Sequence, residues 1–213
     1  MAELLDLPQL VRGLPPAPSP ELGPALDAAS RCFSRHGITR TSMTDIGREL
    51  GVSRSGIYRQ LGSIERTVRL LLAREVHVLV TRRLPRVLRD ATGPETVVVL
   101  LAEVIEYARR HPVVVKVLAD EPEIIGPFLV TDLAEATAQV SEMVQPVLEA
   151  AMAAGLIARQ DASVLAGWLV RLAVALVIDP PQQALRPFLE QLLLPALTPT
   201  RGGHSGRGKR ARR

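Results

Sequence analysis

Aromatic residues and cysteines are scarce in this chain of 213 residues, which narrows the classes of protein it can belong to. Phe, Trp and Tyr together make up 3% of the residues, so a hydrophobic core must consist mainly of Leu, Val, Ala and Ile. The single cysteine, Cys32, excludes an intramolecular disulfide, and we expect it to be a small core residue. The N-terminus lacks a secretion signal, and the most apolar stretch is short and contains Arg171. We therefore expect a cytoplasmic protein without a membrane span.

Motifs of catalytic and metal-binding sites are also missing from the sequence. The four histidines are far apart, with neither the HExxH motif nor the Cys/His spacing of zinc sites. There is no GxSxG motif, P-loop or Rossmann glycine pattern. The sequence therefore predicts a protein that is not an enzyme, with no catalytic residues, no metal and no cofactor.

Positive charge is concentrated in two regions, although the net charge is only +4. Residues 201–213 contain six basic residues and no acid, whereas the rest of the chain has 20 basic and 22 acidic residues. Residues 20–66 contain seven arginines and five acids. Local basicity of this kind favours a DNA-binding module joined to an acidic-to-neutral partner domain.

Residues 41–65 have the pattern of two short helices joined by a tight turn. Ser42 can cap the first helix, and the acid three residues later can complete a capping box. Gly51 can end that helix, because the residue after a helix often needs a positive φ. Ser53 can cap the second helix, which turns Ile57 inward. The pattern predicts a helix-turn-helix whose second helix enters the major groove of DNA.

The region around this motif resembles the DNA-binding domain of the TetR family of bacterial repressors. The matching residues follow one another without gaps: Ala28-Ala29, Phe33, Gly37, Thr41-Ser42, Ile46, Leu50-Gly51-Val52-Ser53 and Ile57-Tyr58. Two later stretches, HPVVVKVLADEPEIIGPFL and PFLEQLLLPAL, resemble actinobacterial members of the family. The sequence departs from the family pattern at Gly47, Leu61 and Ile64, the last standing where a lysine usually reaches a DNA phosphate.

Helical patterns continue through the chain and predict an all-α fold. We predict a proline-rich disordered leader at residues 1–19, a three-helix DNA-binding domain at residues 20–66, a larger helical domain at residues 67–198 and a basic disordered tail at residues 199–213. Long helices are expected after Ser63, where Pro85 kinks or ends the helix, from about Pro94 to Arg110, and at residues 128–154, 162–178 and 182–197. A short helix is expected to end near Asp120. The resemblance implies that the larger domain encloses a small-molecule pocket and dimerises through its last two helices.

The residues predicted to contact DNA lie on the two helices of the motif. Arg54 is the first choice for reading a base, because its forked guanidinium matches O6 and N7 of guanine. The other predicted contacts are Thr44 and Arg59 to bases or phosphates, Ser55 for close approach or contact with a thymine methyl group, Gly56 for close approach, and Ser42, Tyr58 and Gln60 to phosphates. The alternatives are that Tyr58 packs against the first helix and that Arg54 is a solvated surface residue.

The predicted pocket and dimer interface both lie in the second domain. Candidates for the ligand pocket are the scarce large side chains and one lone histidine, namely His77, Tyr107, Phe128, Met143 and Trp168. Each can equally be ordinary core, and Trp168 can equally lie between subunits. Residues 162–178 are apolar on nearly every side, which a monomer has difficulty covering. We expect the dimer interface to contain Ala166, Val170, Val174, Phe188 and Leu192.

Together these features predict a homodimeric transcriptional repressor that binds a double-stranded DNA operator and is released by a small apolar effector. Effector binding would move the long helix after Ser63 and change the separation of the two recognition helices. The alternative is an architectural or nonspecific DNA-binding protein that relies on its basic tail.

Overall fold

The computed structural model describes residues 16–87 and 92–199, apart from the side chains of Phe128 and Asp132. Within these ranges every regular element is a helix, which confirms the all-α fold. Most of the predicted leader and nearly all of the predicted tail lie outside the described residues, so their disorder stays a prediction. None of the helices in the described ranges is long and apolar enough to span a membrane.

Eleven α-helices are defined in the described ranges. They are α1 (Gly23–His36), α2 (Met43–Leu50), α3 (Arg54–Leu61), α4 (Ile64–Val78), α5 (Leu84–Val87), α6 (Glu95–Arg110), α7 (Pro112–Asp120), α8 (Pro122–Pro127), α9 (Leu133–Ala153), α10 (Ala162–Ile178) and α11 (Leu185–Leu197). A short 3-10 turn (Pro20–Leu22) precedes α1, and π-helical turns connect α4 to α5 (Leu79–Arg83) and α8 to α9 (Phe128–Asp132).

The first three helices pack around a small aliphatic core with one aromatic ring at its centre. Phe33 of α1, Ile46 of α2 and Ile57 of α3 are all fully buried there. Cys32 is buried in the same core, as predicted. The core continues onto the first half of α4 through Leu71, so this unit depends on the long helix that follows it.

The remaining helices form a bundle with α6 at its centre. Val98 and Ile105 of α6 are fully buried, in keeping with its central position. The helix packs against α10 and α11, while α9 lies along α10. Arg109 at the end of α6 also donates a hydrogen bond to the carbonyl oxygen of Val177, at 2.8 Å.

Two long helices differ in detail from those expected. Pro85 does not end the helix after Ser63, because a π-turn precedes it and the N–H of Leu84 reaches back five residues to Leu79. A wider turn of this kind lets the chain pass a proline that has no N–H to donate. The helix expected at residues 182–197 begins only at Leu185.

Helix α7 brings the bundle into contact with the first three helices. It packs along α1, and Val113 of α7 lies against the core of the first three helices. Helix α4 also runs from that unit into the bundle. The two parts of the chain are therefore joined by a continuous helix and by a lateral contact.

Candidate nucleic-acid interface

Capping fixes the two helices of the motif in the way the sequence predicts. Ser42 caps α2 in a capping box with Asp45, and Ser53 caps α3 by accepting a hydrogen bond from the N–H of Gly56 at 3.2 Å. Gly51 between them has φ 79°, a conformation that other residues adopt at a cost. These local contacts set the start of α3 at Arg54 and the angle at which it leaves α2.

All eight predicted DNA contacts lie at the surface of this unit. Ile57 and Leu61 occupy the opposite side of α3 and are fully buried, so the orientation of α3 is fixed by the core. The exposed predicted contacts are Ser42, Thr44, Arg54, Ser55, Tyr58 and Arg59, and the partly buried ones are Gly56 and Gln60. The structure thus leaves all eight residues at the surface of the two helices, while their contacts to DNA stay a prediction.

Arg54 stands at the first position of α3, where a cation does not stabilise the helix dipole. It makes no salt bridge to another described residue. Its guanidinium instead lies 5.6 Å from the centre of the Tyr58 ring, one turn later. The Tyr58 side chain is 42% exposed, which argues against the alternative that it packs into α1. Arg54 is therefore a surface cation held near the ring of a second predicted contact.

Ser42 is already engaged in the capping box. Its hydroxyl lies 2.6 Å from Oδ2 of Asp45, and the N–H of Ser42 donates to the same oxygen at 3.0 Å. These two hydrogen bonds lower the pKa of Asp45, the side-chain bond contributing most. Because a hydroxyl carries one proton, Ser42 can donate to a phosphate only if it leaves Asp45.

Two arginines of α1 are paired with an acidic residue of α2, so their charges are not free to contact DNA. Arg31 and Arg35 donate to the two oxygens of Glu49, at 2.6 and 2.8 Å. These hydrogen bonds, that of Arg31 first, hold the pKa of the Glu49 carboxyl below its ordinary value. At the start of α4, Ile64 is half-buried against the core of the unit, so it supplies no substitute for the lysine of the family pattern.

That the predicted ligand residues line a common cavity stays a prediction. Two open grooves on the described part of the chain lie around Arg35 and Arg48 and around Arg109 and Pro180. Neither groove is lined by a predicted ligand residue. Nothing is described for the side chain of Phe128.

Three of the predicted ligand residues lie where the end of α4 and the π-turn after it meet the bundle. Met143 of α9 packs against Val80 and Leu84. Nδ1 of His77 is buried and has no hydrogen-bond partner among the described residues. The hydroxyl of Tyr107 donates to Glu75 at 2.5 Å. Burial first, and then this hydrogen bond, raise the pKa of Tyr107 to about 12.

The expected roles of Trp168 and Ala166 are corrected by the orientation of α10. Trp168 is 63% exposed, so it cannot form the wall of a pocket inside the bundle. Ala166 is 0% exposed within its own subunit and cannot lie at a dimer interface. The outward side of α10 instead carries Val164, Trp168, Arg171 and Ala175. Leu192 is exposed as expected, Val170 and Val174 are half-buried, and Phe188 packs partly on the core.

One contact of this unit is absent from the predicted set. The carboxylate of Glu121, which follows α7, is buried against the loop between α1 and α2. The sequence indicates only a helix break at Glu121-Pro122, because the partners of the side chain lie more than 80 positions away. No local pattern marks a contact across such a distance.

Comparisons with known proteins identify both the motif and the fold. Residues 25–66 match the family model described as bacterial regulatory proteins, tetR family. A search of curated protein sequences gave no match.

Several solved structures have a similar fold. A TetR-family transcriptional regulator from Pectobacterium atrosepticum has a TM-score of 0.64 at 19% identity, over 84% of this chain and 96% of that one. The fatty acid degradation regulator FadR from Bacillus halodurans has a TM-score of 0.57 at 17% identity, over 83% and 96%. AibR in complex with isovaleryl coenzyme A and operator DNA has a TM-score of 0.54 at 16% identity, over 83% and 97%.

Proposed function

We propose that the chain, whose residues 25–66 match the tetR family model, is a DNA-binding transcriptional regulator of that family and acts as a homodimeric repressor that a small apolar molecule releases from its operator. The observation that carries this proposal is the polar, exposed face of α3, on a helix whose other face is fixed in the core. An α-helix with its side chains is about 10–12 Å across, which fits the roughly 12 Å width of the major groove.

On DNA, we assign base reading to the start of α3 and phosphate contacts to its flanks. Arg54 is placed to donate two parallel hydrogen bonds to one guanine, and Thr44, Ser55 and Arg59 can reach neighbouring base edges or phosphates. Tyr58 and Gln60 supply single donors for phosphate oxygens. Ser42 contributes a phosphate contact only by exchanging Asp45 for the phosphate.

A second copy of the chain would cover the outward side of α10. Val164 and Trp168 are each more than half exposed there, and Leu192 on α11 is also exposed. Large exposed apolar side chains on neighbouring helices are typical of a helical dimer interface. A symmetric dimer would present two α3 helices to half-sites about 34 Å apart, or to a multiple of that spacing.

The effector pocket is proposed at the junction of α4, α6 and α9, around His77, Tyr107 and Met143. Aliphatic side chains surround this junction, and Nδ1 of His77 is its buried polar atom without a partner. These features favour a mainly apolar ligand with one polar group. The isovaleryl coenzyme A bound to AibR, which has a similar fold, makes acyl compounds the first class to test.

Polar contacts lead from this junction to the DNA-binding unit. Tyr107 donates to Glu75, Arg74 lies 3.1 Å from Glu75, and Arg74 bridges to Asp27 of α1 at 2.7 Å. A ligand that displaces Tyr107 would therefore disturb the connection between α6, α4 and α1. The shift in operator affinity would equal the difference in ligand affinity between the two arrangements.

The decisive experiment is selection of DNA from a random duplex library by the full chain, followed by footprinting. We expect an inverted repeat with protected half-sites, and release of that duplex by some members of a panel of acyl-coenzyme A esters and free fatty acids. Sequence-independent binding that disappears when residues 201–213 are deleted would refute the proposal and favour the architectural alternative.

A further inference from the structure

The loop between α1 and α2 is held by a side chain from the other part of the molecule. We propose that Glu121 is a positioning residue for DNA binding, whose carboxylate fixes the loop from which α2 begins. The inference deepens the function proposed above and rests on it for its DNA measurement, but its exchange measurement requires no DNA.

Both oxygens of the Glu121 carboxylate accept hydrogen bonds from backbone N–H groups of the loop. The N–H of Ile38 donates to one oxygen of Glu121 at 2.7 Å, and the N–H of Thr39 donates to the other at 2.8 Å. The hydroxyl of Thr39 donates to that second oxygen as well. Glu121 is 1% exposed and makes no salt bridge with a described residue. Its charge is therefore stabilised mainly by three hydrogen bonds from a single loop.

The loop is shaped to receive this carboxylate. Gly37 has φ 88°, and a Cβ atom built on it would lie 2.5 Å from the carboxyl carbon of Glu121. Any other residue at position 37 would therefore clash with the buried side chain as well as strain the backbone. The hydroxyl of Thr41 donates to the carbonyl oxygen of Gly37 at 2.6 Å, which closes the loop immediately before Ser42 caps α2.

Glu121 is itself tied to the end of α7. It follows the last turn of α7 and donates its own N–H to the carbonyl oxygen of Val117 at 3.0 Å. Burial alone would raise the pKa of Glu121, but the hydrogen bonds from Thr39 and Ile38 and the charge of Arg40 lower it overall. The side chain is thus an ionised acceptor at neutral pH. Through it, the position of α7 determines the position of the loop and of the α2 N-terminus.

The test compares Glu121→Gln with Glu123→Gln in the full chain. Both changes remove one negative charge, but Glu123 is exposed two residues further along. A glutamine at position 121 offers one oxygen acceptor in place of two, so at least one backbone N–H loses its partner. We expect amide hydrogen exchange at Ile38 and Thr39 to become about tenfold faster or more, with the amides of α6 and α10 unchanged. Glu123→Gln should leave all of these rates unchanged.

The DNA measurement separates positioning from mere stabilisation. Below the onset of unfolding, Glu121→Gln should weaken binding to the selected duplex several-fold, and Glu123→Gln should not. Thr39→Val removes one of the three donors, so its effect on affinity should be smaller when combined with Glu121→Gln than when made alone. If Glu121→Ala does not fold, the glutamine and valine variants still decide the question.

Three results would overturn the inference. Unchanged exchange at Ile38 and Thr39 would show that the carboxylate does not hold the loop. Equal acceleration of exchange in every helix would show a general loss of stability instead. Faster local exchange with full DNA affinity would show that the loop need not be fixed for binding. A chain that selects no duplex would refute the proposed function, and the exchange measurement would still test the contact.

Discussion

The assignment of base reading to Arg54 leads to a quantitative prediction. Arg54→Ala removes two hydrogen bonds to one guanine, which are worth about 1–3 kcal/mol of discrimination. At about 1.4 kcal/mol per tenfold change, operator affinity should fall by a factor of about 5 to 150 for each half-site. The stacking contact with Tyr58, at 5.6 Å, is an exposed cation–π contact worth about 0.5–1 kcal/mol, so it is too small to explain a larger loss.

Three further variants separate the geometry of the Arg54 contact from its charge. Arg54→Lys keeps the charge but loses the fork, so it should lose most of the specificity while retaining affinity for scrambled DNA. Arg66→Ala removes an equally exposed positive charge outside α3, so it should affect operator and scrambled DNA similarly. Tyr58→Phe keeps the ring under Arg54 and removes only the hydroxyl. It should weaken both duplexes by similar factors.

The assay is titration of labelled operator and scrambled duplexes at one fixed salt concentration. A specificity ratio that falls with Arg54→Ala and Arg54→Lys, and holds with Arg66→Ala and Tyr58→Phe, would support base reading. If Arg54→Ala weakens both duplexes equally, Arg54 is a phosphate contact. Base reading would then pass to Thr44, Ser55 or Arg59.

Two further predictions concern the bundle. Trp168 is the only tryptophan, so the fluorescence of the protein reports on α10 directly. In a dimer we expect its emission to be blue-shifted and poorly accessible to an added quencher. The Trp168→Glu variant should sediment as a monomer and lose operator binding. The proposed interface would be contradicted if the wild-type protein sedimented as a monomer at micromolar concentration and an added quencher had full access to Trp168. In Tyr58→Phe, Tyr107 is the only tyrosine, and its absorbance should titrate near pH 12 rather than at the ordinary value of 10.0. Since the pKa of Tyr107 is raised in the folded protein, the stabilisation by the Tyr107–Glu75 bond should be complete below pH 10.0 and disappear as the pH rises towards 12. A titration midpoint of Tyr107 near pH 10.0 would show that this bond is absent in solution.

The DNA-binding unit could be predicted from the sequence because local rules determine it. Capping by Ser42 and Ser53 and the positive φ of Gly51 each depend on residues at most three positions apart. The buried positions Ile46 and Ile57 follow from helical spacing. Local contacts of this kind are visible in a single sequence, and the structure confirms each of them.

The outward side of α10 could not be predicted for the opposite reason. The helix is apolar on nearly every side, so its sequence contains no periodic signal that tells the inner from the outer face. The buried set of Leu165, Ala166 and Leu169 is selected by packing against the rest of the bundle, which leaves Trp168 outside. Tertiary packing decides the orientation of this helix. It contradicts the interface role of Ala166 and the pocket role of Trp168, while the alternative that Trp168 lies between subunits stays a prediction.

The contact between α7 and α1 has a consequence for protein engineering. A chimera could be made by joining the first three helices of one such protein to the helical bundle of another at the start of α4. Here such a junction would separate Gly37, Ile38 and Thr39 from the carboxylate that fills their loop, and would uncover the part of the core that Val113 shields. A functional graft would therefore have to carry α7 through Glu121 together with residues 20–66, so the transferable unit is discontinuous in the chain.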